Sequence, residues 1–374
     1  MTGPGGGLAV TFLLPCHSRK PIGGARVVYQ YANGLASRGH SVTVVHAAVM
    51  ERWQYRRPLS WREPRVLARG LLDLARGARG ETAAPGWQCV DPRVRLLYTS
   101  TLAPRRVPDA DAVVATSWRT AESLARYPAA KGVGHYLIQH YEVWDGPKQR
   151  VDATWKAPLR KVVIAQWLID VGRSLGLDDM VRIPNGLDHS RFRVSRGIAD
   201  RAPRVAMLSS PARLKGTAEG VAALVRARRA VPRLEAVLFG VRPRPTGLPD
   251  WVEYHQNPAQ DVLAEVYNRS SIYLCPSHGE GWHLPPAEAM ACGCAVVSTD
   301  IGGVHDYAVP GETALLAPVG DSAALADAVV SLCRDDALRV ALADAGNRRI
   351  RTFTWDRAVT SFEERLLGPA GVAA

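Results

Sequence analysis

The chain's 374 residues exceed what one hydrophobic core usually serves, so two domains are expected. Apolar residues make up 47%, yet no run of about 18 of them offers a membrane span, and the six cysteines contain no Cys-x-x-Cys pair, so free buried thiols are expected rather than zinc. A formal charge of +12 asks for an anionic partner, which nucleic acid, a membrane surface or a phosphorylated ligand would each supply.

Residues 1–7 lack the basic stretch of a signal peptide, and Leu8 to Leu14 reads as a first buried strand, which points to a cytoplasmic chain. Gly23 and Gly24 then open a helix that runs to about Arg38, and their missing side chains let a phosphate approach the backbone. A second strand follows at Ser41 to Val45. Between Arg52 and Arg79, Trp53, Tyr55 and Trp61 interleave with six arginines. This segment, 51–80, reads either as a solvated helical face or as a basic amphipathic helix in peripheral contact with the inner membrane face. No nucleic-acid recognition motif accompanies the charge, so nucleic acid is not an expected partner. The Ala-, Gly- and Arg-rich composition fits an actinobacterial-like, high-GC proteome.

Further strands are expected at Val94 to Tyr98, Ala112 to Thr116, His135 to Gln139 and Lys161 to Ile164. Asp109 and Asp111 imitate a metal-binding Asp-x-Asp, but they precede their strand, opposite the expected ligand side, so no metal site is expected. His140 directly follows a buried strand, with Glu142 two residues on. The polar run Val194 to Pro203 reads as a linker. A second alternating set follows at Arg204 to Leu208, Ala236 to Gly240, Val252 to His255, Ile272 to Cys275 and Ala295 to Ser298. Strand–helix alternation of this kind implies two α/β, Rossmann-like doubly wound domains facing a cleft, with ligands beyond the carboxyl ends of strands.

The richest segment begins at the strand Ile272 to Pro276. Ser277 to His283 reads as loop, and Pro285-Pro286 opens a helix, since proline tolerates the first turn. Gly293 stops that helix. Backbone N–H groups entering it form an anion site. Glu288, read in the first turn, would be repelled by a diphosphate, so its expected partner is a hydroxyl pair such as a nucleotide ribose. Arg213 and Lys215, in the loop Ser209 to Gly216, can place positive charge where a leaving diphosphate develops negative charge.

Ser277 to Glu288, with Cys275 to Ser277 before it and Val296 to Gly303 after it, resembles the donor-binding region of family 4 retaining glycosyltransferases, the glycogen synthase-like, group 1 type. Their mark is two glutamates separated by seven residues, here Glu280 and Glu288. The resemblance implies a GT-B fold, with an acceptor-binding domain over 1–192 and a donor-binding domain over 193–354. The terminal helix, about 355–374, would pack back on the first domain. Glu280 would contact hydroxyls of the transferred sugar and Glu288 the ribose, while the amides at Gly281, Trp282, His283 and Leu284 hold the phosphates. Gly23 and Gly24 resemble the family's glycine pair near the donor phosphates, Lys215 its lysine at the leaving diphosphate, and His140 its histidine near the reaction centre. Two positions depart from the pattern. Ser210 stands where the family has arginine, which shifts that role to Arg213, and His283 stands where glycine is common.

The implied activity moves a sugar from a nucleotide diphosphate sugar to an acceptor hydroxyl, without metal or other cofactor, in cell-envelope glycan or secondary-metabolite synthesis. The expected partners are the nucleotide-sugar donor and a small-molecule or lipid-linked acceptor. A nucleotide-sugar epimerase, a sugar phosphorylase and a non-catalytic binding module are the alternatives.

Overall fold

The computed structural model of the chain describes residues 7–17, 21–47, 84–99 and 101–368, so the basic segment 51–80 lies outside the described residues. The chain divides into two units, Met1–Ile183 with Trp355–Ala374, and Pro184–Thr354.

The first unit holds a seven-stranded parallel sheet of β1 (Ala9–Leu14), β2 (Ser41–Ala47), β3 (Arg95–Thr99), β4 (Ala112–Ala115), β5 (Val133–Ile138), β6 (Arg160–Val163) and β7 (Val181–Arg182). Strand order is β3-β2-β1-β4-β5-β6-β7, so it reverses between β1 and β4. Consecutive residues such as Val113, Val114 and Ala115 are fully buried, which requires cover on both faces of the sheet and explains why the strands read as apolar runs. Helix α1 (Gly23–Ser37) buries Val27, Val28, Tyr31, Ala32 and Leu35, a spacing of three and four residues. Helices α2 (Trp118–Leu124), α3 (Lys148–Lys156) and α4 (Gln166–Ser174) follow.

The terminal helix, Trp355–Leu367, packs on α1 in this unit. The Phe362 ring lies 6.0 Å from Phe12 and 4.6 Å from Tyr31. Gly34 permits the approach, because a Cβ there would sit 2.5 Å from Val359 Cγ2. Arg38 adds ion pairs of 2.6 Å to Asp356 and Glu363.

The second unit holds β8 (Arg204–Leu208), α5 (Thr217–Ala230), β9 (Glu235–Gly240), β10 (Val252–Gln256), α6 (Gln260–Arg269), β11 (Ile272–Cys275), α7 (Leu284–Ala291), β12 (Ala295–Thr299), β13 (Ala314–Ala317), α8 (Ser322–Arg334) and α9 (Asp336–Ile350). Its six strands are parallel in the order β10-β9-β8-β11-β12-β13, reversing between β8 and β11. No helix among the described residues is long and apolar enough to cross a membrane.

The division falls after Ile183, earlier than the expected 192, because the chain from Pro184 onward is packed into the second unit. Leu187 N–H donates to the Phe353 carbonyl at 3.1 Å, and Phe192 is fully buried near the Tyr267 ring. Nor is Val194 to Pro203 a free linker. Arg201 within it is buried and donates to the carbonyls of Arg196, Ser270 and Cys292, which meets the need of buried polar groups for partners. Asn268 anchors the same stretch, donating to the Arg193 carbonyl and accepting from Ser195 N–H.

Candidate active site

The order reversal in the second unit brings the loops after β8 and β11 side by side, where open parallel sheets bind ligands. The β8 loop tightens into a turn over Arg213–Lys215, and Gly216 follows with φ of 60°. Only glycine fits there, since a Cβ would lie 1.9 Å from the Pro276 carbonyl oxygen. His278 N–H donates to the Leu214 carbonyl at 2.7 Å, locking the two loops together. On the other side, Thr299 Oγ1 donates to the Ser277 carbonyl. Gly303 lies under the loop, where a Cβ would come within 2.6 Å of the Glu280 carbonyl oxygen.

Within this frame, Lys215 Nζ donates to both carboxylate oxygens of Glu280, at 2.7 and 2.8 Å. Burial alone would raise the Glu280 carboxyl, but His283 and Lys215 outweigh it and hold the group below the ordinary carboxylate range. Arg213 is exposed, and the cation on Glu280 is Lys215.

His283 is one of two non-glycine residues among the described ones with positive φ, at 60°. Such a conformation costs on the order of 1 kcal/mol. Its imidazole is buried, with Nδ1 3.1 Å from Cys275 Sγ and Nε2 3.3 Å from Glu280 Oε1. Burial lowers its pKa to about 4. The neighbouring Trp282 is packed inward, its ring 4.9 Å from Tyr307 and 5.5 Å from Phe353, so its indole belongs to the core.

Helix α7 starts at Leu284, with Pro285 and Pro286 next. Two prolines remove two N–H groups from the first turn, so the anion site expected there narrows to Leu284 N–H and the loop amides from Gly281 onward. Glu288 is the fifth helical residue, past the first turn where the sequence places it. Its side chain is 1% exposed, with Tyr267 OH 3.4 Å from Oε2.

In the first unit, Gln139 Nε2 donates to the Gly24 carbonyl at 3.2 Å, so the Gly23-Gly24 helix opening lies beside Gln139, the residue before His140. No side chain among the described residues caps α1 at that end. His140 is flanked by Trp144 at 4.1 Å and Trp167 at 5.2 Å between ring centroids. Glu142 accepts from Trp118 N–H at 2.7 Å, at the start of α2, and burial pushes its carboxyl up to about 7. Asp111 accepts from Ala9 N–H and Asp109 pairs with Lys131, so both carboxylates brace the amino end of β4. No group of three or more His, Cys, Asp or Glu among the described residues is arranged to hold a metal ion.

Residues 204–335 match the family Glycosyl transferases group 1. The chain is 32% identical over 137 residues to a D-inositol 3-phosphate glycosyltransferase of Xylanimonas cellulosilytica, covering 33% of each chain. It is 39% identical over 93 residues to a phosphatidyl-myo-inositol mannosyltransferase of Mycobacterium leprae, covering 25% of each. The matched stretches thus span a quarter to a third of these relatives' own length. In fold it is similar to HepE from Anabaena in complex with UDP-glucose, with a TM-score of 0.69 at 15% identity over 95% of this chain and 99% of the other. The two parallel-sheet units therefore carry the GT-B glycosyltransferase fold, and residues 204–335 form a Glycosyl transferases group 1 domain.

Proposed function

We propose that the chain is a retaining glycosyltransferase of family 4 that moves a hexose from a nucleoside diphosphate to an acceptor hydroxyl without a divalent metal. The Lys215–Glu280 pair at the reversal between β8 and β11 is the observation that carries this reading. The Lys215 side chain is 30% exposed, so it can exchange its carboxylate for an incoming diphosphate. Breaking the anomeric C–O bond leaves negative charge on that diphosphate, and a positioned ammonium with the amides from Gly281 to Leu284 stabilises it. Glu280 then accepts from sugar hydroxyls, and Glu288 from the ribose. The sugar passes through an oxocarbenium-like state. A donor phosphate oxygen takes the acceptor proton in a front-side attack. Gly23, Gly24 and His140 keep in this proposal the roles the family resemblance gives them, and Arg213 supplements Lys215.

HepE's UDP-glucose complex supports a hexose nucleotide as donor. The names of the two relatives support a polyol or lipid-linked acceptor. Release of free nucleoside diphosphate should require an added acceptor, and nuclear magnetic resonance should show the donor's anomeric configuration kept in the product. A donor converted to its epimer without acceptor, or an inverted product, would contradict the proposal.

A further inference from the structure

The buried surroundings of His283 have a chemical order of their own. Cys275 closes β11 and is fully buried; burial raises its thiol to about 11 and lowers His283 to about 4, so both are uncharged at neutral pH. Only one imidazole tautomer suits both neighbours. A proton on Nδ1 would aim the Nε2 lone pair at the Glu280 carboxylate, 3.3 Å away. A proton on Nε2 faces the Glu280 carboxylate, near it but outside hydrogen-bond geometry in this structure, and leaves Nδ1 to accept from the Cys275 thiol at 3.1 Å. Tyr307 OH donates to the His283 carbonyl at 3.0 Å, so the backbone is fixed as well. Glycine would take this left-handed turn without strain, yet a side chain is kept here and turned inward onto Glu280.

We propose that His283 is a positioning residue, whose neutral imidazole, oriented by Cys275, holds the Glu280 carboxylate in place for the donor sugar once Lys215 turns to the diphosphate. The inference rests on the donor-site reading above and deepens it. Glu280 has two partners with different duties. Lys215 is half-exposed and can leave, whereas His283 is enclosed and stays. The imidazole thus acts on the sugar through Glu280 and leaves the nucleotide untouched.

That division of labour gives the test its readout. Calorimetry on the full chain with UDP, GDP and ADP and their glucose and mannose conjugates first finds the pair that the wild type binds. His283→Gly should then bind the nucleoside diphosphate with unchanged Kd and its sugar conjugate about 10- to 100-fold more weakly, the range for a hydrogen bond to a charged group. His283→Asn tolerates the left-handed turn and offers a shorter amide donor, so its loss should be sugar-selective but smaller. Equal loss for both ligands, or loss for neither, overturns the positioning role. If the glycine variant does not fold, the asparagine variant decides, and an unchanged ratio of its two Kd values overturns the proposal. A wild type that binds none of these nucleotides overturns the donor-site reading itself, and this inference with it.

Discussion

Replacing Lys215 by alanine removes the ammonium that binds both oxygens of Glu280. Burial by itself disfavours the charged carboxyl, and the offset comes from His283 and Lys215. His283 is neutral above about pH 4, which leaves Lys215 as the cation on Glu280 at neutral pH. In the wild type the folded carboxyl titrates below its ordinary range, so its contribution is present above that range and lost as pH falls through the folded value. In Lys215→Ala only part of that offset remains, so the folded carboxyl titrates higher than in the wild type and the variant gains less stability as pH rises from about 4 to 7. Breaking a fully buried pair costs about 3–5 kcal/mol, but Lys215 is 30% exposed, so about 1–2 kcal/mol is expected here. Thermal unfolding of both proteins across that pH range should give diverging curves, and turnover should fall by about 10²-fold or more. Parallel curves together with wild-type turnover would refute the reasoning.

Three further outcomes are expected. Glu288→Ala should weaken nucleotide binding by about tenfold or more, the scale of a lost hydrogen bond to a charged group, and unchanged donor affinity by calorimetry would count against a ribose contact. Gly303→Ala forces a Cβ to within 2.6 Å of the Glu280 carbonyl oxygen and 2.9 Å of that of Gly281, both backbone atoms. It should cost about 1–3 kcal/mol in thermal stability and lower kcat/KM, and wild-type values for both would show that the loop has room to yield. Activity should be undiminished in excess chelator, whereas dependence on added manganese would overturn the metal-free mechanism.

The parallel-sheet plan was legible because doubly covered strands must be apolar throughout, and β1, β8 and β11 are read off as such runs. The short β7 and β13 escaped that signal: two residues show no pattern, and Ala-Leu-Leu-Ala lacks the β-branched residues that mark a strand. The segment around Glu280 was also legible, since strand, glycine loop and proline-opened helix are local features. What joins Glu280 to Lys215 was not, because the two lie 65 residues apart and meet only through the strand-order reversal. The buried role of Arg201 was hidden for a similar reason, as two of its three carbonyl partners, Ser270 and Cys292, lie far along the chain. Trp282 shows the limit of position alone, since a loop aromatic beside a ligand site is here a core side chain. The prolines at 285 and 286 were visible in the sequence, and counting their missing N–H groups would have narrowed the anion site to Leu284 and the loop before it.

The central claim is that the second unit holds a nucleotide sugar through Glu280, Glu288 and Lys215. Titration of the full chain with nucleoside diphosphates and their hexose conjugates, followed by calorimetry without added metal, tests it most directly. The account predicts saturable one-to-one binding of at least one such pair, weakened by Lys215→Ala for the diphosphate and by Glu280→Gln for the sugar conjugate alone. Binding that both substitutions leave untouched, or no binding of any nucleotide, would contradict it.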